Sequence, residues 1–465
     1  MRKKILLENL SVESFANEGK CIARPDGKVV FVKGTIPGEI VNAFVTKSKK
    51  DFTESEVADI IQPSSERQEP FCQHFGYCGG CQWQHMKYEA QLHYKELSVI
   101  ETLQRLGKIY PNEILPIVGC DIDRGYRNKL EFTFSHREWM IGEAWKNNPE
   151  RIKYPALGFH LPGAFDRVFD VKSCKLQPEL SDRIRLAIKK FTSENGYEYF
   201  HLKKQTGLMR NLIIRMSTTG EVMVLVVFAS KDEEKITSLM NFLKNEFPEI
   251  TSLQYIINPK ANDTIYDLEI VTFSGSESIF ETIGGLKFRI SAKSFFQTNT
   301  KQAEKLYACV KEFADLKGDE LVHDLYSGTG SIALYIADQC KHVVGIESVA
   351  QAIEDAKVNA SINSVSNVSF HVADTAKLLN EDFYSEYGRP DVVITDPPRA
   401  GMHEGVVKQL LVLSSPKIVY VSCNVSTQAR DLRLLSEKYS VEKIRPFDLF
   451  PQTQHIENVA LLKLT

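Results

Sequence analysis

The stretch Glu320-Leu-Val-His-Asp-Leu-Tyr-Ser-Gly-Thr-Gly-Ser331 decides the fold. It reads as a buried strand, a glycine turn and the start of a helix over Ile332 to Ala337. Gly328 and Gly330 let the backbone pass close to a ligand with no Cβ in the way. Val343-Val-Gly-Ile-Glu347 is the next strand and ends in a carboxylate 23 residues after Asp324. A doubly wound sheet places an acid there to bind ribose hydroxyls. Val368-Ser-Phe-His-Val-Ala-Asp374 again ends in an acid, which can accept a hydrogen bond from an adenine amino group. A complete G-x-G-x-x-G turn is missing, which disfavours NAD, and no Walker lysine is present, which disfavours ATP.

Working outward, the fourth strand, Asp391-Val-Val-Ile-Thr-Asp396, runs into Pro397-Pro-Arg399. The two prolines fix the backbone and aim it at the crest of the sheet. A fifth strand, Ile418-Val-Tyr-Val-Ser422, leads into Cys423-Asn424. From Ser294 onward, helix and strand alternate as in a doubly wound parallel α/β sheet. Strand, glycine turn, strand-Glu and strand-Asp in this order resemble the class I S-adenosylmethionine-dependent methyltransferases. Leu92, Leu97, Ile100, Leu103 and Leu106 predict a helix over Glu89 to Gly107. Strands such as Asn128 to Phe134 and Val222 to Phe228 predict a mainly β, α+β middle domain. At the N-terminus, five short strands punctuated by Pro25-Asp-Gly27 and Pro37-Gly38 predict a small closed barrel of OB type over residues 1–62.

The composition is that of an ordinary globular chain of 465 residues, with 43% hydrophobic and 25% charged side chains. A net charge of −3 gives no whole-molecule attraction for nucleic acid, so a polyanion must be held by a local patch. Pro116 to Arg215 supplies one, with 18 Lys/Arg against 12 Asp/Glu and no acid after Glu198. The opening Met-Arg-Lys-Lys-Ile-Leu-Leu-Glu has too short an apolar run for a signal peptide, and no stretch is long enough to span a membrane. Nine unevenly spaced cysteines argue against a disulfide framework and for a reducing cytoplasm.

Two cysteine features carry chemistry. Cys423, at the end of its strand, is followed some thirty residues later by Asp448-Leu-Phe-Pro-Gln-Thr-Gln-His-Ile-Glu457, which offers Glu457 as a base with His455 as competitor. Beside a methyl donor, this pair suits uracil C5. A thiolate adds to C6, C5 becomes nucleophilic, and a base then removes the C5 proton. That scheme calls for a thiol of low pKa. The ordinary fate of a lone cysteine is a small buried hydrophobe. The second feature, Cys72-Gln-His-Phe-Gly-Tyr-Cys78-Gly-Gly-Cys81, is C-x5-C-x2-C with glycines for tight wrapping. Cys174 is the best-placed fourth ligand and Cys120 the second. Four thiolates suit zinc or a [4Fe-4S] cluster, and spacing alone does not separate them.

These residues resemble the RNA uracil-5 methyltransferase family, and within it the iron–sulfur branch acting on 23S rRNA. Phe296-Gln297-Thr298-Asn299, Asp324 to Gly330, Asp396-Pro-Pro-Arg399, Ser422-Cys-Asn424 and Phe450 to Glu457 match the family's motifs in order. The resemblance implies that residues 1–62 are a TRAM barrel that binds RNA. It implies that Cys72, Cys78, Cys81 and Cys174 ligate [4Fe-4S] rather than zinc. It implies that Gln297, Tyr326, Ser331, Glu347, Asp374 and Asp396 contact S-adenosyl-L-methionine, with Cys423 the nucleophile and Glu457 the proton acceptor. The catalytic domain would then comprise 84–116 and 294–465, and the central domain 63–83 and 117–293. Arg127, Lys129 and Arg399 are candidate RNA contacts. Relatives vary at the position of Ser331, and the stretch from Arg137 to Pro155 reads as an insertion. The expected partner is 23S rRNA, with no membrane and no obligate protein partner. The competing readings are a tRNA T-loop uracil-5 methyltransferase and a non-catalytic iron–sulfur RNA-binding protein.

Overall fold

The strand Leu321–Leu325 lies inside an eight-stranded sheet in the computed structural model, which describes residues 5–16, 19–140, 146–148, 154–375 and 381–465. Its neighbours are His342–Glu347 on one side and Val392–Thr395 on the other, both parallel. Val368–Val372 and Lys417–Ser422 extend the parallel set outward. Counted along the chain from Leu321, the seven long strands stand in the order 3-2-1-4-5-7-6. This is the sheet of a class I S-adenosylmethionine methyltransferase.

The alternation of helix and strand predicts a parallel sheet throughout, and the C-terminus departs from it. Tyr439–Phe447 and Glu457–Leu464 are joined by residues 448–456, a connection too short for a crossover helix. They therefore pair antiparallel, and Glu457–Leu464 inserts antiparallel beside Lys417–Ser422. Glu113–Ile114 adds a short parallel edge to Tyr439–Phe447.

Both faces of this sheet are covered, which is why its strands read as continuous apolar runs. Val322, Val343, Val419 and Val421 pack toward Leu306, Val310 and Phe313 of the helix Thr300–Ala314. Leu325, Val344, Val393 and Tyr420 face the other way, toward Val406 and Leu410 of Glu404–Leu413 and Ala429 and Leu432 of Val425–Leu435. Each such side chain contributes about 1.5–3 kcal/mol by leaving water. The helix Tyr88–Thr102 joins this second face through Val99 and loosens into a wider turn over Leu103–Gly107.

The five N-terminal strands, Leu6–Phe15, Cys21–Ala23, Val29–Lys33, Ile40–Ser48 and Phe52–Gln62, close into a barrel around Leu10, Val12, Val30, Val32 and Val41. The middle of the chain forms a seven-stranded sheet with the helices Glu179–Glu194 and Glu233–Glu246 packed against it. Most of the insertion expected over Arg137 to Pro155 lies outside the described residues. No helix among the described residues is long and apolar enough to cross a membrane.

Candidate active site

The glycine turn after Leu325 is left-handed at three positions, Tyr326 (φ 64°), Gly328 (φ 55°) and Gly330 (φ 78°). A tyrosine in that region costs about 1–3 kcal/mol and persists only where its surroundings enforce it. A Cβ at Gly328 would meet nothing within 4 Å, whereas one at Gly330 would strike the Phe370 ring at 2.8 Å. The turn is thus open on one side and pressed against the sheet on the other. Glu347 caps it, accepting from the Gly328 amide at 3.3 Å and the Val349 amide at 2.9 Å. Tyr326 lies within electrostatic reach of Glu347 and of the exposed Asp374. Ser331 shares a 3.0 Å hydrogen bond with the hydroxyl of buried Tyr307. Gln297 is half-buried, and its carbonyl accepts from the Asn128 amide group at 2.8 Å.

Below the turn the pocket is strongly acidic. Burial raises the Asp396 carboxyl from its ordinary 3.8 to about 7. Asp324 is pushed well up by burial and by Asp396, with the Ala333 amide offsetting part of this. Neither carboxylate has a cation paired with it among the described residues. Two desolvated acids beside an open glycine turn suit a ligand carrying positive charge, as a sulfonium with an ammonium does.

Cys423 lies one residue past its strand. The ladder ends where Ser422 pairs with Asn458, the chain bends at Cys423, and its thiol lies within electrostatic reach of Glu457 and Asp396. Asn424 caps the helix Val425–Leu435 through the Ser426 amide and donates to the Arg399 carbonyl at 2.9 Å. The Cys423 loop is thereby tied to the Asp396-Pro-Pro-Arg399 loop. Asp431, buried on the same helix, accepts from the Met402 amide and the Tyr420 hydroxyl and secures the far end of that loop.

The thiol expected to have a low pKa does not have one here. Burial, Glu457 and Asp396 raise Cys423 to about 11, with Arg399 and a backbone hydrogen bond pulling it down in part. Glu457 is raised well above the carboxylate range by burial and Asp396, again opposed by Arg399. Burial and the cations Arg399, Lys95 and Arg127 drive His455 down to about 4, so it is neutral near pH 7. Burial, together with the neighbouring carboxylates, reverses the expected sign, and no motif reveals it.

Residues 214–465 match the family model described as tRNA (uracil-5-)-methyltransferase, and residues 7–58 match the TRAM domain. The chain belongs to the tRNA (uracil-5-)-methyltransferase family. An uncharacterized RNA methyltransferase of Bacteroides thetaiotaomicron is 48% identical over 97% of this chain and 100% of its own length. Another, from Porphyromonas gingivalis, is 48% identical over 97% of this chain and 99% of its own. In structure, the chain is similar to the Pyrococcus abyssi tRNA (uracil-54, C5)-methyltransferase bound to S-adenosyl-L-homocysteine. The TM-score is 0.74 at 26% identity, covering 99% of this chain and 100% of that one. This RNA uracil-5 methyltransferase is thus an enzyme that uses S-adenosylmethionine.

The other sequence-predicted residues are spread over the molecule. Arg127 has its guanidinium 5.6 Å from the Phe450 ring and lies within electrostatic reach of His455, and Arg399, within reach of Cys423 and Glu457, is exposed. Lys129 is farther off, half-buried on the middle sheet opposite Arg215. Cys72, Cys78, Cys81 and Cys174 come within electrostatic reach of one another, and burial raises the thiols of Cys78, Cys81 and Cys174. No group of three or more His, Cys, Asp or Glu among the described residues is close enough to hold a single metal ion. Cys120, the second choice as fourth ligand, is elsewhere: its thiol donates to the Asp448 carbonyl at 3.0 Å. His74, inside the cysteine motif, was not singled out by the motif reading. Its Nε2 accepts from the Lys172 amide at 2.9 Å and joins the two cysteine segments.

A further group also escaped the motifs. Lys95 and Asp448 form a fully buried ion pair at 2.6 Å. Lys95 also donates to the Phe450 carbonyl at 3.2 Å, and the Tyr88 hydroxyl donates to Asp448 at 3.0 Å. The helix Tyr88–Thr102 thereby holds the start of the loop that carries Glu457. A lysine among helical leucines reads as a solvated face in sequence, which hides its role.

Proposed function

We propose that this enzyme methylates uracil C5 in 23S rRNA through a covalent bond between Cys423 and uracil C6, with Glu457 accepting the C5 proton. The observation that carries this reading is Cys423, one residue past the strand that pairs with Glu457–Leu464, lying within electrostatic reach of Glu457 and Asp396. Cys423 attacks C6, and the electron pair of the C5–C6 bond moves toward the O4 carbonyl. S-adenosylmethionine supplies the methyl group as an electrophilic carbon. Carbon C5 then carries both its proton and the new methyl. Glu457 takes that proton, the C5=C6 bond re-forms, and the Cys423 sulfur leaves with the pair that bound it. The raised proton affinity of Glu457 suits a base for a weakly acidic carbon. Arg399 is the cation that favours ionisation of both groups. Tyr326, Ser331, Glu347, Asp374, Asp396 and Gln297 would hold the methyl donor, and Arg127, Lys129 and Arg399 would contact RNA.

Cys72, Cys78, Cys81 and Cys174 would hold a [4Fe-4S] cluster. The four thiols lie within electrostatic reach of one another, which supports this reading. The cluster would tie the segment 72–81 to Cys174 and take no part in methyl transfer. The barrel of residues 1–62 would bind RNA, and the enzyme would work in the cytoplasm.

The choice of 23S rRNA rests on the barrel and the four cysteines. A second reading, a tRNA substrate, is favoured by the Pyrococcus abyssi enzyme, whose likeness extends over the whole chain. The test supplies labelled methyl donor with 23S rRNA and with tRNA, each from cells lacking this protein. Label in 23S rRNA that maps to 5-methyluridine supports the proposal. Label in tRNA alone selects the second reading, and label in neither overturns both RNA assignments.

A further inference from the structure

A cleft of about 380 Å³ opens between the middle sheet, the loop around residue 265 and the segment 292–298. That volume lies within the range of about 300–1,000 Å³ typical of small-ligand pockets. It is separate from the Cys423 site but backs onto the segment that carries Gln297, since the Asn128 amide donates to the Thr298 carbonyl at 2.8 Å. Two of its polar atoms are unsatisfied, although the Arg215 guanidinium also donates to the Ser294 carbonyl at 2.6 Å. Arg215 Nε and the Thr298 hydroxyl are buried with no hydrogen-bond partner. Lys129 and Glu131, two positions apart on Lys129–Ser135 and therefore on one face, both line it. Two aromatic side chains stand at its rim almost fully in solvent, Tyr266 at 72% and Phe295 at 73% exposed.

A pocket for a bare anion would offer donors alone. This one offers donors on Lys129 and on the unpartnered Arg215 Nε beside an acceptor on exposed Glu131, which lies within electrostatic reach of both cations, with flat aromatic surface at the entrance. Such a set matches the edge and face of a nucleobase, which carries donors, acceptors and a π-face together. Burial lowers the Lys129 ammonium and brings Arg215 to about 10, so a polar occupant relieves a desolvation cost already present.

We infer that this cleft is a second nucleotide subsite, which receives the base of an unpaired residue flanking the target uridine, read by Lys129, Glu131 and Arg215 and stacked on Tyr266. The inference deepens the proposed function and rests on the RNA substrate of the family, whichever RNA that is. Seating a flanking base here would pull the strand across the segment 292–298 and hold the target in register with Cys423.

The test uses the full-length enzyme and a set of short RNA hairpins, each with one abasic residue within three positions of the target. At one position the abasic residue should raise KM about ten-fold with kcat nearly unchanged, the size of one lost stacked base. That penalty should shrink to less than two-fold in Tyr266→Ala and in Glu131→Gln. Tyr266 is exposed enough that its removal does not disturb packing, so this variant serves even where Glu131→Gln fails to fold. Unaltered binding of S-adenosyl-L-homocysteine checks the active site. An equal abasic penalty in the wild type and in Tyr266→Ala at every position would overturn the inference. Adenosine and uridine monophosphates, tested alone, separate RNA from a free nucleotide. Binding of either that Tyr266→Ala abolishes, without any abasic dependence, would assign the cleft to a small ligand and overturn it as well. Loss of all methylation in every hairpin would instead indict the substrate assignment.

Discussion

At the scale of single residues, the chemistry depends on groups whose proton affinities are shifted by one another. Cys423 is raised to about 11 and Glu457 is raised as well, so the ionised forms that add to C6 and accept from C5 both grow as pH rises. The acid limb of kcat/KM should therefore lie well above the ordinary carboxylate range. Arg399 lowers both groups, so Arg399→Gln should move this limb to higher pH. A pH profile of single-turnover methylation checks both points. A limb near pH 4–5, or a shift to lower pH in the variant, would contradict them. In Glu457→Gln, adduct should accumulate with turnover reduced by about 10²–10⁴-fold, the usual contribution of a positioned base. Denaturing gels of enzyme and RNA read this directly, and normal turnover would remove Glu457 from the role.

The elements show why some of this was legible and some was not. The glycine turn, the three acid-ended strands and Cys423 were visible because each chemical group sits where a strand stops, and strand ends are marked by apolar runs. The parallel and antiparallel senses were less visible, although the short connection 448–456 contains the answer. Buried polar groups were not visible at all. Lys95 has a helical position and spacing no different from a surface lysine, yet its side chain is fully buried against Asp448. Lys95→Met should cost about 3–5 kcal/mol, because it removes one partner of a fully buried ion pair. Urea unfolding checks this, and a change below 1 kcal/mol would mean that water reaches the pair. The acidic pocket has an opposite signature. Asp396 has a folded pKa of about 7 against an ordinary 3.8, so the fold favours its neutral form. That stabilisation is present below pH 3.8 and is lost as pH rises through 7. Asp396→Asn should raise the Tm of the ligand-free enzyme at pH 8 while weakening S-adenosyl-L-homocysteine binding at least ten-fold. Calorimetry of both variants at pH 5 and pH 8 reads the two effects, and a lower Tm at pH 8 would refute the account.

Over the whole molecule, the two large sheets and the barrel bring together residues from distant parts of the chain. The barrel was legible from its turn residues and short alternating strands, and the catalytic sheet from its motifs. The middle sheet was legible only as a class, because its order depends on pairings between strands far apart in sequence. The cysteines pose the same problem, since Cys174 meets the segment 72–81 only through tertiary contacts such as His74 with Lys172. Anaerobic purification should yield close to four iron atoms and four sulfides per chain. Cys174→Ser should lose them and unfold at lower temperature with S-adenosyl-L-homocysteine affinity unchanged. Iron content near zero in the wild type would leave the four thiols without a cluster.

The central claim is a bond between Cys423 and the target base, and 5-fluorouracil-substituted RNA tests it most directly. Fluorine at C5 cannot leave as a proton, so the methylated adduct has no route to release. With methyl donor present, the wild-type enzyme should stay attached to the RNA through denaturation, and mass spectrometry should find the nucleotide on the peptide containing Cys423. Cys423→Ala should bind S-adenosyl-L-homocysteine normally and trap nothing. Methylation of ordinary RNA by Cys423→Ala, or an adduct on any other residue, would contradict the account.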